Sequence, residues 1–157
     1  MTTSERTGSR SYLYPVIADA IDPTTGQAPT ADWQLDYDWL RVRHLLRDQL
    51  GHDRLPDLQA VLMLIGVQAL GRWRRDFTKE EKQDLMHVGT CEILSAEPHA
   101  HYAFSHRDAD GWPHYARVRE VDAVGHAAQE ALLKRAAVAY LDRWAAEASA
   151  TEPAAQP

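Results

Sequence analysis

Cysteine is nearly missing: Cys91 stands alone among 157 residues. A single thiol removes any disulfide framework and any multi-cysteine zinc module, and it fits a reducing compartment. Basic charge is also in short supply, with 17 Lys and Arg against 23 Asp and Glu, a formal net charge of −6. A general nucleic-acid binder needs a basic footprint, so that class is disfavoured. Long apolar runs are absent too. The longest, Val61 to Val67, falls far short of the ~20 residues that span a bilayer. The opening MTTSERTGSRSYLYP lacks the apolar core of a signal peptide. No G-x-G-x-x-G, P-loop, alternating βαβ text or internal repeat occurs, which excludes nucleotide binding by those routes and argues against a solenoid. At 45% hydrophobic and 25% charged residues, the composition is that of an acidic, soluble globular chain with the length of one domain. A cytoplasmic location, no membrane partner and no cofactor are expected.

The periodicity predicts a mostly α (α+β) fold: about four helices around a buried central helix, with one β-hairpin between the third and fourth. Residues 1–11 and 151–157 have the polar composition of disordered tails. Residues 12–150 form one expected globular domain, opening with an extended arm over 12–29. Tyr12, Tyr14, Val16 and Ile21 favour extension there, while Pro15 and Pro23 confine any strand to an edge. Such an arm lies across its own domain or across a neighbouring subunit. A first helix over 30–51, capped by Thr30 or Asp32, carries the stripe Leu35, Trp39, Val42, Leu46 and Leu50.

A second helix spans 56–72, with Pro56 in its first turn, and only Gln59, Gly66 and Gln68 interrupt its apolar text between Leu58 and Leu70. A helix apolar nearly all round must be central. Gly66 then permits a close crossing, or is merely tolerated. Thr78 and Glu81 make a capping-box pattern for a third helix over 78–97. The period then shortens to that of strands over 99–121, around the turn signal Asp108-Ala109-Asp110-Gly111. A three-residue loop puts Tyr102, Phe104, His106, His114, Ala116 and Val118 on one face, with Tyr115, Arg117 and Arg119 toward water. Asp122 is expected to cap the last helix, 123–148, with its stripe Leu133, Ala137, Tyr140, Leu141 and Trp144.

Several residue groups have chemical potential. Glu80, Asp84, His87 and Cys91 recur at i, i+4, i+7 and i+11, a helical stripe about 60° wide. His87 and Cys91 could chelate a soft metal, and Asp84-x-x-His87 echoes the Glu-x-x-His element of di-iron bundles. That architecture needs a second such element, which is missing, so a solvated acidic stripe with Cys91 as a small hydrophobe is the expectation. His106 and His114 face each other across the predicted ladder, where two imidazoles could ligate a metal or titrate together. As ordinary edge residues, they bond backbone or Asp108 instead. His99 and His101 share a strand face. No metal is expected at any of these positions.

Calcium is excluded at Asp108-x-Asp110-Gly111, because the EF-hand frame puts His106 and Arg117 where Asp and Glu are required. Cys91 sits inside a helix with no orienting third group, which argues against a catalytic dyad with His87. Arg72-Trp73-Arg74-Arg75 is the one basic-aromatic cluster, and it is expected to satisfy the dipole of the second helix rather than bind nucleic acid.

The strings KEEKQDLMH (79–87) and DGWPH (110–114) resemble those of small bacterial proteins without an assigned function, loosely over 14–144. The resemblance implies no site, cofactor or activity; it marks the third helix and the hairpin turn. The expectation is a non-catalytic protein-interaction or self-associating protein, with Trp112, His114, Tyr115, Tyr12 and Tyr14 as partner-binding candidates. A metal-dependent enzyme using the third-helix and hairpin side chains is the alternative. No small-molecule substrate is identified.

Overall fold

The computed structural model describes residues 31–151. The expected N-terminal tail and arm, with Tyr12 and Tyr14, lie outside the described residues, as does the chain beyond 151. The described elements are α1 (Ala31–Leu50), α2 (Leu58–Leu70), α3 (Lys79–Ile93), β1 (Tyr102–Arg107), β2 (Pro113–Arg117) and α4 (His126–Thr151). The fold is mostly α, with one antiparallel hairpin between the third and fourth helices. Backbone contacts divide the chain after Leu55 into two compact units, each described by itself.

In the first unit, α1 buries Trp39, Val42 and Leu46 of the expected stripe, together with Leu40. Leu50 departs from it and is exposed, because it is the last helical residue and no further turn follows.

In the second unit, α2 starts at Leu58 rather than at Pro56. The Asp57 side chain, overlooked in the text Leu-Pro-Asp-Leu, accepts the Ala60 N–H at 2.8 Å and sets the boundary. Only Gln59 and Gln68 of this helix are exposed, as an all-round apolar helix requires. Its crossing with α3 brings backbone onto backbone. A Cβ on Gly66 would lie 2.0 Å from the Leu85 carbonyl oxygen, and one on Gly89 would lie 2.0 Å from that of Leu62. Both glycines are buried where any side chain would hold the helices apart.

The α3 capping box forms as its sequence predicts: Thr78 Oγ1 accepts the Glu81 N–H, and Glu81 accepts the Thr78 N–H. The helix stops at Ile93, short of the expected 97, because the Leu94 carbonyl accepts the N–H groups of His101 and Tyr102. The chain doubles back there into the hairpin. His99 and His101 therefore precede the strands rather than sharing a strand face. His101 is 94% removed from solvent, its Nδ1 without a hydrogen-bond partner.

The hairpin loop is the expected three-residue kind. Asp108 N–H bonds the Trp112 carbonyl and Gly111, at φ +87°, makes the turn. The register beyond it differs from the expectation. His106 opposes His114, but a bulge at Ser105 makes Phe104 oppose Tyr115 and Tyr102 oppose Arg117. The inward face of β2 is the reverse of the expectation: Pro113 and Tyr115 turn inward and His114 is exposed, while the extra residue in β1 sets Phe104 on the Tyr115 side. Phe104 and Val118 are exposed.

α4 starts at His126, not at 123. Asp122 is exposed ahead of it, and the Gln129 N–H finds the Gly125 carbonyl at 3.1 Å. The helix continues through Thr151, which removes that residue from the expected tail. Ala136, Ala137 and Leu141 are its buried residues.

Helix propensity alone says that Gly66→Ala or Gly89→Ala gains about 1 kcal/mol. The crossing geometry predicts the opposite sign, with a net loss of ~1–3 kcal/mol from forced separation of the helices. Urea melts of the two variants test it: both midpoints should fall. A midpoint that rises in either variant contradicts the close crossing.

Candidate functional site

Two arginines fix the hairpin tip to the end of α2. Arg107 donates to the Ala69 carbonyl at 2.7 Å, to Leu70 at 3.4 Å and to Gly111 at 2.8 Å. Arg72 donates to the Asp110 carbonyl. The last carbonyls of α2 carry its negative dipole end, so a guanidinium there is favourable. The sequence expectation gave this role to the 72–75 cluster, and that is corrected. The dipole is met by a strand residue brought from 37 or 38 positions away. Arg74 instead bonds Glu81 and lies 4.8 Å over the Phe77 ring.

With the tip fixed, the two marked strings meet. Glu81, Asp84 and His87 of α3 face Asp108, Trp112 and His114 of the hairpin across a cavity of about 380 Å³. Trp112 is half-buried and packs against Leu70, Phe77 and Leu85. The remainder of the indole walls the cavity. Asp108 is the hub of the turn. Its Oδ1 accepts the N–H groups of Asp110 and Trp112 at 2.9 and 3.0 Å, and its Oδ2 accepts His114 Nε2–H at 2.9 Å. These bonds, His114's first, hold the Asp108 carboxyl below the ordinary carboxylate range. The His114 ring stacks on His106, with centroids 4.9 Å apart and planes 6° apart.

The α3 stripe is divided by its surroundings. Glu80, Asp84 and His87 are exposed, whereas Cys91 is 99% buried with its Sγ 3.6 Å from His87 Nε2. Burial, then the neighbouring Glu92 charge, pushes the Cys91 thiol up to about 11. It is held protonated at neutral pH, which is unsuited to nucleophilic attack. Among the described residues, no three His, Cys, Asp or Glu side chains are grouped to hold a metal ion.

A second feature was not legible in the sequence. The inward Tyr115 donates its hydroxyl to Glu92 Oε1 at 2.5 Å. Burial and this carboxylate push the Tyr115 phenol up, and burial and Glu92 do the same to Tyr140. Glu92 lines two cavities that share Tyr140 as a wall. One, of about 430 Å³, lies between Phe104, Tyr115 and the end of α2; the other, of about 350 Å³, lies along α4 beside Arg143 and Trp144. Tyr115 and Pro113 also wall the cavity at the hairpin tip. A lone Glu beside an apolar stripe gives no sequence signal. A phenol reaches it because the face of β2 that carries Pro113 and Tyr115, rather than the expected one with His114 and Ala116, is turned inward.

In comparisons with family models, curated proteins and solved structures, nothing matches the chain. The functional argument therefore rests on these residues.

Two outcomes follow from the titrations. Cys91 in the native protein should react with a thiol-specific disulfide reagent at pH 8 far more slowly than after unfolding, and a fast native reaction would contradict its burial. By carboxyl NMR, Asp108 should titrate below the ordinary value of 3.8 and move back up in His114→Ala. Because the folded value is depressed, the stabilisation from Asp108 is present above its unfolded value and lost as pH falls through the folded one.

Proposed function

We propose that this chain is a non-catalytic protein-interaction module of the bacterial cytoplasm, receiving an extended segment of a partner in the groove between the hairpin and α4. One observation carries the reading: Phe104 stands 57% exposed on the concave hairpin face, edge-on to Tyr115 at 6.0 Å. It walls the same cavity as Tyr115 and Tyr140. An aromatic ring left wet in a concave wall is suited to be covered by another molecule. The inert Cys91 thiol and the structural use of Asp108 speak for binding over nucleophilic chemistry. The cytoplasm is supported by a sequence with one cysteine and so no internal disulfide. Among the described residues no helix is long and apolar enough to cross a membrane.

A photo-crosslinking side chain placed at Phe104, and separately at Val124, tests this in native lysate. Val124 is 88% exposed and lines none of the three cavities. A discrete adduct is expected from position 104 and not from 124. An adduct between two copies would make the partner a second chain. Equal labelling at both positions, or none at 104, overturns the reading.

A further inference from the structure

Glu92 is the half-buried carboxylate of the groove, hydrogen-bonded but not held in an ion pair by any described residue. Among the described residues, the Tyr115 hydroxyl is the group that hydrogen-bonds it, through Oε1. Two arginines line the adjoining cavities, yet neither forms an ion pair with Glu92. Arg107 is occupied by the carbonyls of Ala69, Leu70 and Gly111. Arg143 lies with its guanidinium 6.0 Å from the Tyr140 ring centroid. A half-buried carboxylate whose hydrogen-bond donor is neutral leaves its second oxygen open to a charged donor.

The rings around it suit the same guest. Tyr115, Tyr140 and Phe104 wall one cavity with Glu92, and Tyr140 and Trp144 wall the other. Aromatic faces attract an ammonium or guanidinium group, and its aliphatic stem lies against apolar ring surface. An anionic guest would meet Glu92 directly, and the donors of Arg107 that could oppose it are already engaged.

From this juxtaposition of one carboxylate, three aromatic walls and open cavity volume, the geometry points to a specificity site for a lysine or arginine side chain of the partner, seated against Glu92. This deepens the docking reading above and rests on it. The overall charge of −6 favours the approach of a basic segment in the same sense.

The test uses the full chain and four blocked pentapeptides, identical except for a central Lys, Arg, Gln or Glu between glycines, followed by NMR shift titration. The Lys and Arg peptides should bind, perturbing Glu92, Tyr115 and Tyr140, and the Gln and Glu peptides should bind at least about tenfold more weakly. Glu92→Gln keeps an acceptor for the Tyr115 hydroxyl, so it should fold normally yet lose about tenfold in Lys and Arg affinity. Tyr140→Leu keeps apolar bulk and should weaken binding through loss of the ring face. Equal binding of all four peptides, no binding of the basic pair at millimolar concentration, or an unaffected Glu92→Gln overturns the cation site. Crosslinking at Phe104 is independent of these results, so a docking groove with a different guest would still be recognised.

Discussion

The contact on which the second unit depends is the one between two backbones, where Gly66 and Gly89 each leave room for a carbonyl of the opposite helix. Hydrophobic burial alone drives α2 and α3 together but does not choose a register, because α2 is apolar nearly all round and would present a similar surface in many rotations. The paired glycines make the choice. Only where glycine faces carbonyl can the axes approach this closely, and Cα–H···O contacts reward that single alignment. Once it is set, Leu70 and Leu85 fall into one cluster with Phe77, leaving the slot that Trp112 fills. The close crossing thus acts as a specificity device more than as a source of buried area.

The position of the hairpin follows from the same alignment. An isolated two-stranded sheet is marginal in water, so it needs attachment to something else. The α2 terminus offers carbonyls without intrahelical partners, and Arg107 and Arg72 link the two, one to those carbonyls and one to the turn itself. At its other end, the backbone of His101 and Tyr102 bonds Leu94 at the close of α3. Held at tip and base, the hairpin lies along α3, with Trp112 near the start of that helix and Tyr115 over Glu92.

Helix existence, order and stripes were legible because they depend on period and local caps, which a linear text displays. The capping box at Thr78 and the three-residue turn at Asp108 are fully local, and both formed as read. Side-chain orientation in the strands was not legible. Segregation of polarity favours the face with His114 and Ala116 as the covered one, whereas the attachment of Arg107 to the end of α2 turns Pro113 and Tyr115 inward. The bulge at Ser105 has no residue-type signature. The cap of α2 went to the wrong arginine for a related reason: sequence proximity favours Arg72 to Arg75, whereas the stabilising guanidinium arrives from β1 through tertiary placement. The α3 stripe was correctly spaced as a helix face. Its chemical meaning was set by what packs on it, which separates buried Cys91 from exposed His87 within one turn.

The face of β2 that is turned inward also decides which chemistry is available. Had His114 and Ala116 been the inward residues, as read from the text, Tyr115 would point toward water and Glu92 would face the groove with no phenol to bond it. With Pro113 and Tyr115 inward instead, Tyr115 is the shared wall of the cavity that holds Asp84, His87 and Asp108 and of the one that holds Glu92. Histidines and carboxylates at the tip are tied into the turn through Asp108 and the His106–His114 stack. They stabilise the geometry and leave little unmet polarity. At Glu92 a single neutral hydroxyl bonds a half-buried carboxylate, and no ion pair with a described residue holds it. Polar groups at the tip are thus spent on the turn, whereas Glu92 keeps an oxygen that no hydrogen bond from a described residue engages, and the docking proposed above rests on that difference.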